Sequence, residues 1–276
     1  MSLESYVTGL MKEPSPKGMD KLVLSGLSQL EKMYFSQVEK KRTADMAAAV
    51  SAHVPVISVG NITAGGTGKT PCILMLAKLF FSIGKKPAII SRGYKSGLEK
   101  EGGCVSDGSS ILVSQQMAGD EPYMMARKLP SVPIFIGKDR IASVKRAEEM
   151  GVGILLLDDG FQYWKLRRDQ DIILIDATNP FGYGHGLPRG LLREPLDALS
   201  RASLFILTKS DQVHLTDLME IREELARLAP GVPVLSSTHA PSKVVPYEKW
   251  KAFLHEGTLE DVRMKKAYLV SGIGNP

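Results

Sequence analysis

The sequence is poor in cysteine, tryptophan and histidine, with two, two and five of these residues among 276. Cys72 and Cys104 form no metal-ligand spacing, and a disulfide framework belongs to small cysteine-rich secreted chains. The shortage therefore excludes a disulfide-stabilised scaffold and a cysteine-based metal module. It predicts a reduced, cytosolic setting.

Long apolar runs are also missing. No window offers the roughly 18 unbroken apolar residues of a membrane span. The first residues, MSLESYVTGLMKEP, lack the basic start and apolar stretch of a secretory signal. Hydrophobic residues nevertheless make up 43% of the chain, enough for a substantial core, and the formal net charge of +5 suits an anionic ligand or an anionic membrane surface.

Short apolar segments alternate with helix-patterned segments along most of the chain. The apolar segments are nearly continuous in Val, Ile and Leu, which is typical of strands buried on both faces of a parallel sheet. The predicted fold class is therefore α/β, a mostly parallel sheet with helices on both faces. Strands are predicted at 54–59, 87–91, 132–136, 154–157, 171–175, 204–208, 232–236 and 266–270, and helices at 69–83, 121–129, 140–150 and 215–228.

Three regions are predicted from composition: a helical arm at 1–50, a nucleotide-binding domain at 51–180 and a smaller α/β domain at 181–276. The second boundary lies in a stretch rich in glycine and proline, 178–195. In the arm, apolar residues recur at helical spacing and a basic cluster follows. This pattern fits either a helix packed on the domain or a helix lying on an anionic membrane surface. The residues are Val23, Leu27, Leu30, Tyr34 and Val38, followed by Lys40, Lys41 and Arg42.

Residues 63–70 read TAGGTGKT and stand between a predicted strand and a predicted helix. In such a phosphate-binding loop, backbone N–H groups turn toward phosphate oxygens, a lysine reaches the β- and γ-phosphates, and the next hydroxyl binds magnesium. The predicted loop consists of Thr63, Ala64, Gly65, Gly66, Thr67, Gly68, Lys69 and Thr70. The strict pattern has glycine where Thr63 stands, a departure of little consequence if Thr63 keeps a negative φ.

Asp158 and Asp159 close the apolar segment 154–157. Carboxylates at the carboxyl edge of a sheet, beside a phosphate loop, hold or orient magnesium in nucleotide-dependent enzymes. An aspartate pair after a strand also occurs in a simple turn. Together with the loop, the pair predicts a metal site formed by Thr70, Asp158 and Asp159, and ATP with Mg²⁺ as the cofactors.

Several longer motifs follow one another along the chain. They are VGNITAGGTGKTP (59–71), SRGY (91–94), GDEP (119–122), GKDR (137–140), DDGFQYWKLRRD (158–169) and FGYGHGLPRGLLREPL (181–196). In sequence and in order, these motifs resemble the tetraacyldisaccharide 4′-kinase family. The resemblance implies transfer of the γ-phosphate of ATP to the 4′-hydroxyl of a lipid A disaccharide 1-phosphate. It also implies a peripheral position on the cytoplasmic side of the bacterial inner membrane, in contact with its anionic surface. Neither nucleic acid nor an obligate protein partner is expected.

The resemblance assigns catalytic roles to Asp120, Lys69 and Asp159. Asp120 of GDEP is the expected base for the sugar hydroxyl, although spacing alone also fits a helix start. The predicted substrate residues comprise basic residues, whose guanidinium groups pair with phosphate although solvated surface charge also fits them, and a glutamate of the REP motif, which is expected to anchor the substrate loop or the metal surroundings. These residues are Arg92, Arg140, Arg189, Arg193 and Glu194.

The family pattern continues after GIGNP with an Asp-His-His run and a Thr-Glu-Lys-Asp run that this sequence does not contain. The expectation is an incomplete second domain, either because the chain is a fragment of a longer protein, which we favour, or because the protein is a shortened form. Slow transfer is expected in both cases, because a histidine of that run is thought to assist the base. Among the five histidines, His185 is the candidate replacement.

Two alternatives remain open on sequence alone. Residues 208–211 read TKSD after a predicted strand, as in the guanine-binding TKxD of GTP-dependent switches and metallochaperones. The second alternative is a nucleotide-binding module without turnover. GDEP and REP have no role in the GTP-dependent model.

Overall fold

The computed structural model describes residues 3–13, 16–238, 240, 244–251 and 257–258. At its centre lies one sheet of eight strands in the order β3-β4-β2-β5-β1-β6-β7-β8. The strands are β1 (Val56–Asn61), β2 (Pro87–Ser91), β3 (Gly103–Asp107), β4 (Pro133–Ile136), β5 (Ile154–Asp158), β6 (Gln170–Asp176), β7 (Leu204–Thr208) and β8 (Val234–Ser236).

Strand β1 lies between β5 and β6 and is parallel to both. The pairs from β4 through β8 are all parallel, whereas β3 runs antiparallel to β4 at one edge. The carboxyl ends of β1, β5, β6 and β7 therefore meet at the same edge of the sheet. In open parallel sheets this edge is where ligands bind.

The α-helices of the described residues are α1 (Leu3–Lys12), α2 (Met19–Ala47), α3 (Lys69–Ser82), α4 (Gln115–Ala118), α5 (Asp120–Lys128), α6 (Arg140–Glu149), α7 (Leu215–Leu228) and α8 (Tyr247–Lys251). Local sequence explains several helix starts. The Asp139 carboxylate accepts hydrogen bonds from the N–H groups of Ile141 and Ala142 and so caps α6. Helix α3 begins directly after Gly68, whose left-handed backbone turns the chain out of the loop.

Helices cover both faces of the sheet. Ile89, Leu156 and Leu174 point to one face and pack with residues of α3 and α5. Their neighbours along the same strands point to the opposite face, where Ile90 belongs to a cluster with α6 and Ile173 to a cluster with α7. This alternation between two covered faces explains the continuous apolar strands and confirms the predicted fold class.

Most predicted elements are present within one or two residues of their predicted ends. Strand β3 was missed. The predicted strand at 266–270 lies outside the described residues. Strands β6 and β7, on either side of residue 181, are neighbours in the same sheet. The division of the chain into separate domains at 181 therefore stays a prediction.

The arm forms helices α1 and α2. Most of the predicted apolar positions of α2, including Val23, Tyr34 and Val38, are half-buried against the protein, so this stripe serves packing. Leu30 differs, with 49% of its surface exposed. Among the described residues, no helix combines the length and the apolar character needed to cross a bilayer.

Candidate nucleotide and phosphoryl-transfer site

The phosphate loop connects β1 to α3. Gly65 and Gly68 have φ values of 121° and 87°, a region that residues with a Cβ rarely adopt. Thr63 is outside the positive-φ region, so the departure from the strict pattern requires no unusual backbone. Because α3 starts at Lys69, the free N–H groups of its first turn face the loop, which is the arrangement that binds phosphate.

Lys69 is held by two groups at the carboxyl edge of the sheet. Its Nζ donates to Oδ1 of Asn61 at 3.1 Å and lies 3.7 Å from Oδ1 of Asp159. Asn61 is fully buried at the end of β1, and its amide nitrogen donates to the carbonyl of Thr63 at 2.6 Å. Asn61 thus fixes both the lysine and the start of the loop.

Arg193 completes this network with two parallel hydrogen bonds to Asp159. Its Nη1 lies 2.7 Å from Oδ1 and its Nη2 lies 3.1 Å from Oδ2. Burial alone would raise the pKa of Asp159, but the hydrogen bond and charge of Arg193, followed by the charges of Lys69 and Arg140, lower this pKa to about 2. Asp159 is therefore ionised and fully engaged with cations.

Asp158 has a different environment. It is buried, and its Oδ2 accepts a hydrogen bond of 2.8 Å from the hydroxyl of Ser91. Burial raises the pKa of Asp158, only partly opposed by the Ser91 hydrogen bond. No cationic side chain of the described residues lies within ion-pair distance of it. The two adjacent carboxylates thus differ: Asp159 is neutralised by its partners, and Asp158 is not.

A cleft of about 1650 Å³ opens above this network. The phosphate loop, Asp158 and Asp159 line one part of it, and Asp120 lines another. Asp120 is exposed at the first position of α5, where Gln115 donates a hydrogen bond of 2.8 Å to its carboxylate. The cleft therefore brings together all three residues predicted to be catalytic: Asp120, Lys69 and Asp159.

Two of the predicted phosphate-binding arginines also line the cleft. Arg140 is buried, lies over the ring of Tyr163 at 4.9 Å and donates from Nη1 to the backbone carbonyl of Asp159. Arg92 is more exposed and pairs with Glu99 at 2.7 Å. Arg92 is therefore free to change partners at little cost, whereas Arg140 is fixed in place.

Two of the other predicted substrate residues, Arg189 and Glu194, have partners outside the cleft. Arg189 donates to the hydroxyl of Ser28 on α2 at 2.6 Å. Glu194 is almost fully buried and accepts hydrogen bonds from Gln162 and Arg201. Direct substrate contact would require either side chain to leave these partners. Arg193 binds Asp159, which lines the cleft, so a contact of Arg193 with phosphate stays a prediction.

His185 lies against α2, with Nδ1 3.4 Å from a carboxylate oxygen of Glu31. It is not among the described residues that line the cleft around Asp120. The structure therefore gives no support to His185 as a partner of Asp120.

The TKSD segment forms another part of the cleft. The hydroxyl of Thr208 donates to the carbonyl of Thr67 in the phosphate loop at 3.2 Å. Lys209 has a left-handed backbone, and its Nζ pairs with Asp176 at 2.7 Å. Asp211, the residue that would read guanine in a GTP-dependent protein, is exposed on the following short turn.

Sequence reasoning missed Asn61, Ser91 and Thr208, which hold the lysine, Asp158 and the loop. All three are buried polar residues at the carboxyl ends of strands. Asn61 lies in the motif VGNITAGGTGKTP and Ser91 in the motif SRGY. A polar residue at the end of an apolar strand was the sequence feature that could have identified both. The partners of Ser91 and Thr208 lie 67 and 141 residues away in the chain, so the sequence does not reveal them.

A phosphate loop after a central parallel strand, with its lysine and two strand-end carboxylates in one cleft, defines a P-loop nucleotide-dependent enzyme. Within that class, the family model for tetraacyldisaccharide-1-P 4′-kinase matches residues 21–276. The chain belongs to this family of kinases, which confirms the resemblance stated from its motifs.

Curated relatives and a solved structure agree with this assignment. The tetraacyldisaccharide 4′-kinase of Halothermothrix orenii is 39% identical over 99% of this chain and 74% of its own length. The one from Desulfatibacillum aliphaticivorans is 43% identical over 80% of this chain, which spans 59% of that relative. The crystal structure of LpxK from Aquifex aeolicus in complex with ATP matches with a TM-score of 0.63 and 29% identity, covering 82% of this chain and 86% of that one.

Proposed function

We propose that this chain transfers the γ-phosphate of ATP to the 4′-hydroxyl of a tetraacyldisaccharide 1-phosphate, a lipid A precursor, to give lipid IVA. The observation that carries the proposal is the shared cleft, in which the phosphate loop and a free carboxylate, Asp120, line one continuous volume. Phosphoryl transfer depends on positioning and charge neutralisation. The cleft holds candidate groups for binding the nucleotide and a candidate base for the acceptor hydroxyl.

The nucleotide end is supported by the loop and by Lys69. The first turn of α3 and the glycines of the loop offer N–H groups to phosphate oxygens, and Lys69 is held at the sheet edge by Asn61 and Asp159. A related LpxK structure is described as a complex with ATP. ATP is therefore the expected donor for this chain.

Magnesium is the expected metal, and the residues present fit it. Mg²⁺ is usually bound by one or two carboxylates together with substrate phosphates instead of an all-protein cage. The described residues contain no cluster of three or more His, Cys, Asp or Glu side chains suited to a metal, which agrees with that mode of binding. Thr70 and Asp158 would hold the ion, because Asp158 is a buried carboxylate with no cationic side chain of the described residues within ion-pair distance. When bound, the ion would neutralise phosphate charge.

Asp120 is the candidate base at the acceptor end. Its carboxylate is exposed to the cleft and is held by a neutral hydrogen bond from Gln115, so it remains free to accept a proton. Arg92, on the same cleft wall, is the candidate partner for an anionic group of the acceptor.

The product identifies the acceptor hydroxyl. Incubation with MgATP and tetraacyldisaccharide 1-phosphate should give a bisphosphorylated lipid, and its phosphorus NMR spectrum should place the new ester at the 4′-position. Hydrolysis of ATP without lipid phosphorylation, or a phosphate on another hydroxyl, would contradict the proposal.

We also propose that α2 contacts the anionic membrane surface through an exposed face that shares only Leu30 with the stripe predicted from the sequence. Met19, Leu22, Leu30 and Met33 recur at helical spacing and are 73%, 69%, 49% and 59% exposed. Exposed Lys21, Lys32 and Lys40 lie on the same helix. An apolar stripe beside lysines is suited to the interface of a bilayer containing anionic lipid.

Replacing two residues of this stripe tests the membrane contact. The double variant Leu22→Ser/Met33→Ser should sediment with vesicles of phosphatidylglycerol and phosphatidylethanolamine about tenfold less well than the unmodified protein, since apolar burial drives this binding. Leu215→Ser is a matched control, because Leu215 is 73% exposed on α7, far from α2 in the sequence. Equal sedimentation of all three proteins would restrict α2 to packing.

A further inference from the structure

The loop formed by residues 182–193, here called the REP loop, contacts the phosphate loop on one side and helix α2 on the other. On one side it pairs with the start of the phosphate loop. The N–H of Ala64 donates to the carbonyl of Leu191 at 2.7 Å, and the N–H of Arg193 donates to the carbonyl of Ile62 at 2.8 Å. The Arg193 side chain also binds Asp159. Movement of the REP loop would therefore displace both the phosphate loop and the Asp159 ion pair.

On its other side the REP loop contacts one face of α2. Glu31 accepts a hydrogen bond of 2.6 Å from the N–H of Gly186 and lies beside His185. The hydroxyl of Tyr34 donates to the backbone carbonyl of Arg193 at 3.0 Å. Phe35 packs so closely on Gly186 that a Cβ at this position would overlap the ring.

The contact is largely shielded from water. The Glu31 side chain is 13% exposed, and the burial of Tyr34 raises the pKa of its phenol. Hydrogen bonds in such a position restrict a loop more than exposed ones do, because water does not replace them easily. Neither Glu31 nor Tyr34 lines the cleft among the described residues.

We propose that Glu31 and Tyr34 are positioning residues of α2 that hold the REP loop, and through it the phosphate loop and Arg193, in the nucleotide-binding arrangement. The inference deepens the proposed function, on which it rests for ATP as the ligand. Helix α2 would then serve two roles: its exposed face contacts the membrane, and its buried face sets the geometry of the kinase site.

Titration calorimetry with MgATP, without acceptor or vesicles, tests this role. Glu31→Ala should raise the Kd for MgATP about fivefold, and Tyr34→Phe should raise it about threefold, the scale of one lost hydrogen bond. Glu31→Gln keeps an acceptor for the Gly186 N–H and should bind almost as tightly as the unmodified protein. Gln29→Ala, on the exposed side of the same helix, is the matched control.

A double-mutant cycle tests the path through Arg193. If Tyr34 acts through Arg193, the effects of Tyr34→Phe and Arg193→Lys on the Kd should be less than additive. Full additivity would contradict the path. Variants that unfold at lower urea concentration but bind MgATP as tightly as the unmodified protein would assign Glu31 and Tyr34 a purely structural role and overturn the proposal.

Hydrogen exchange separates this proposal from the proposed function, because it needs no nucleotide. The amides of Ala64 and Arg193 should exchange about fivefold faster in Glu31→Ala than in Gln29→Ala, since their hydrogen bonds join the two loops. Unchanged exchange would overturn the positioning role. Failure of the unmodified protein to bind MgATP would instead overturn the proposed function.

Discussion

Asn61 shows how a single buried polar residue organises the site. Its amide binds the carbonyl of Thr63, and its oxygen accepts hydrogen bonds from Lys69 and from Arg193. A buried amide is costly unless it is satisfied, so its position favours one arrangement of the loop. The lysine is thereby held in position before any nucleotide binds.

Asp120 is the residue at which the proposed proton transfer is most directly tested. Asp120→Asn keeps the size and the bond to Gln115 but removes the base. We expect kcat for lipid phosphorylation to fall about 10²-fold or more, the usual scale for general base assistance, with the Kd for MgATP unchanged. Lys128→Gln, at the exposed last position of α5 and not among the described residues that line the cleft, is the control and should retain full activity. Equal loss in both variants would remove Asp120 from the proposed role.

The Arg193–Asp159 pair predicts a defined pH dependence of stability. The pKa of the Asp159 carboxyl, ordinarily 3.8, is lowered to about 2 in the folded protein. Between these two pH values the unfolded state therefore binds more protons than the folded state. The stabilisation is present above about pH 4 and is lost as the pH falls toward about 2. The difference in unfolding free energy between the unmodified protein and Asp159→Asn, measured in urea, should therefore shrink on acidification over this range. A constant difference would contradict the ion pair.

At the scale of elements, the central strands could be predicted because burial on both faces requires continuous apolar sequence. The run from Ile154 to Leu157 is an example, with Leu155 and Leu156 in separate clusters on opposite faces. Strand β3 could not be predicted, since GCVSD contains few apolar residues and depends on pairing with β4 at the sheet edge. The phosphate loop and Asp158 could be located because each directly follows such a strand.

The residues that hold the site were harder to predict. Ser91 binds Asp158 from another strand, 67 residues away in the chain, and Tyr34 binds Arg193 across 159 residues. Such partners depend on strand order and on the placement of α2, which local patterns do not specify. For the same reason, the sequence does not reveal that Arg189 binds Ser28 or that Arg193 binds Asp159.

The approach of β1 to the turn after β5 gives a prediction at the element scale. A Cβ at Gly60 would lie 2.6 Å from Cβ of Phe161, which is itself fully buried. Gly60→Ala should therefore reduce the free energy of unfolding by about 1–3 kcal/mol, the usual cost of overpacking. Gly26→Ala, in an open position on α2, should be neutral or stabilising. Equal unfolding midpoints in urea for both variants would contradict this packing.

At the scale of the whole molecule, one sheet edge, one wall from α5 and one long helix meet around the cleft. The sheet supplies the phosphate loop and the carboxylates, α5 supplies Asp120, and α2 reaches the same centre through the REP loop. If the proposed function holds, the nucleotide, the acceptor and the membrane would contact different parts of one structure.

The decisive test of the proposed kinase activity is transfer of label from γ-phosphate-labelled ATP to tetraacyldisaccharide 1-phosphate. We expect magnesium-dependent labelling of the lipid by the unmodified chain, and at least a 10²-fold lower rate in Lys69→Ala, because Lys69 is expected to neutralise phosphate charge that develops during transfer. A matched unfolding curve for Lys69→Ala would exclude loss of the fold. Equal labelling by Lys69→Ala, or no labelling by unmodified protein that binds MgATP, would contradict this expectation.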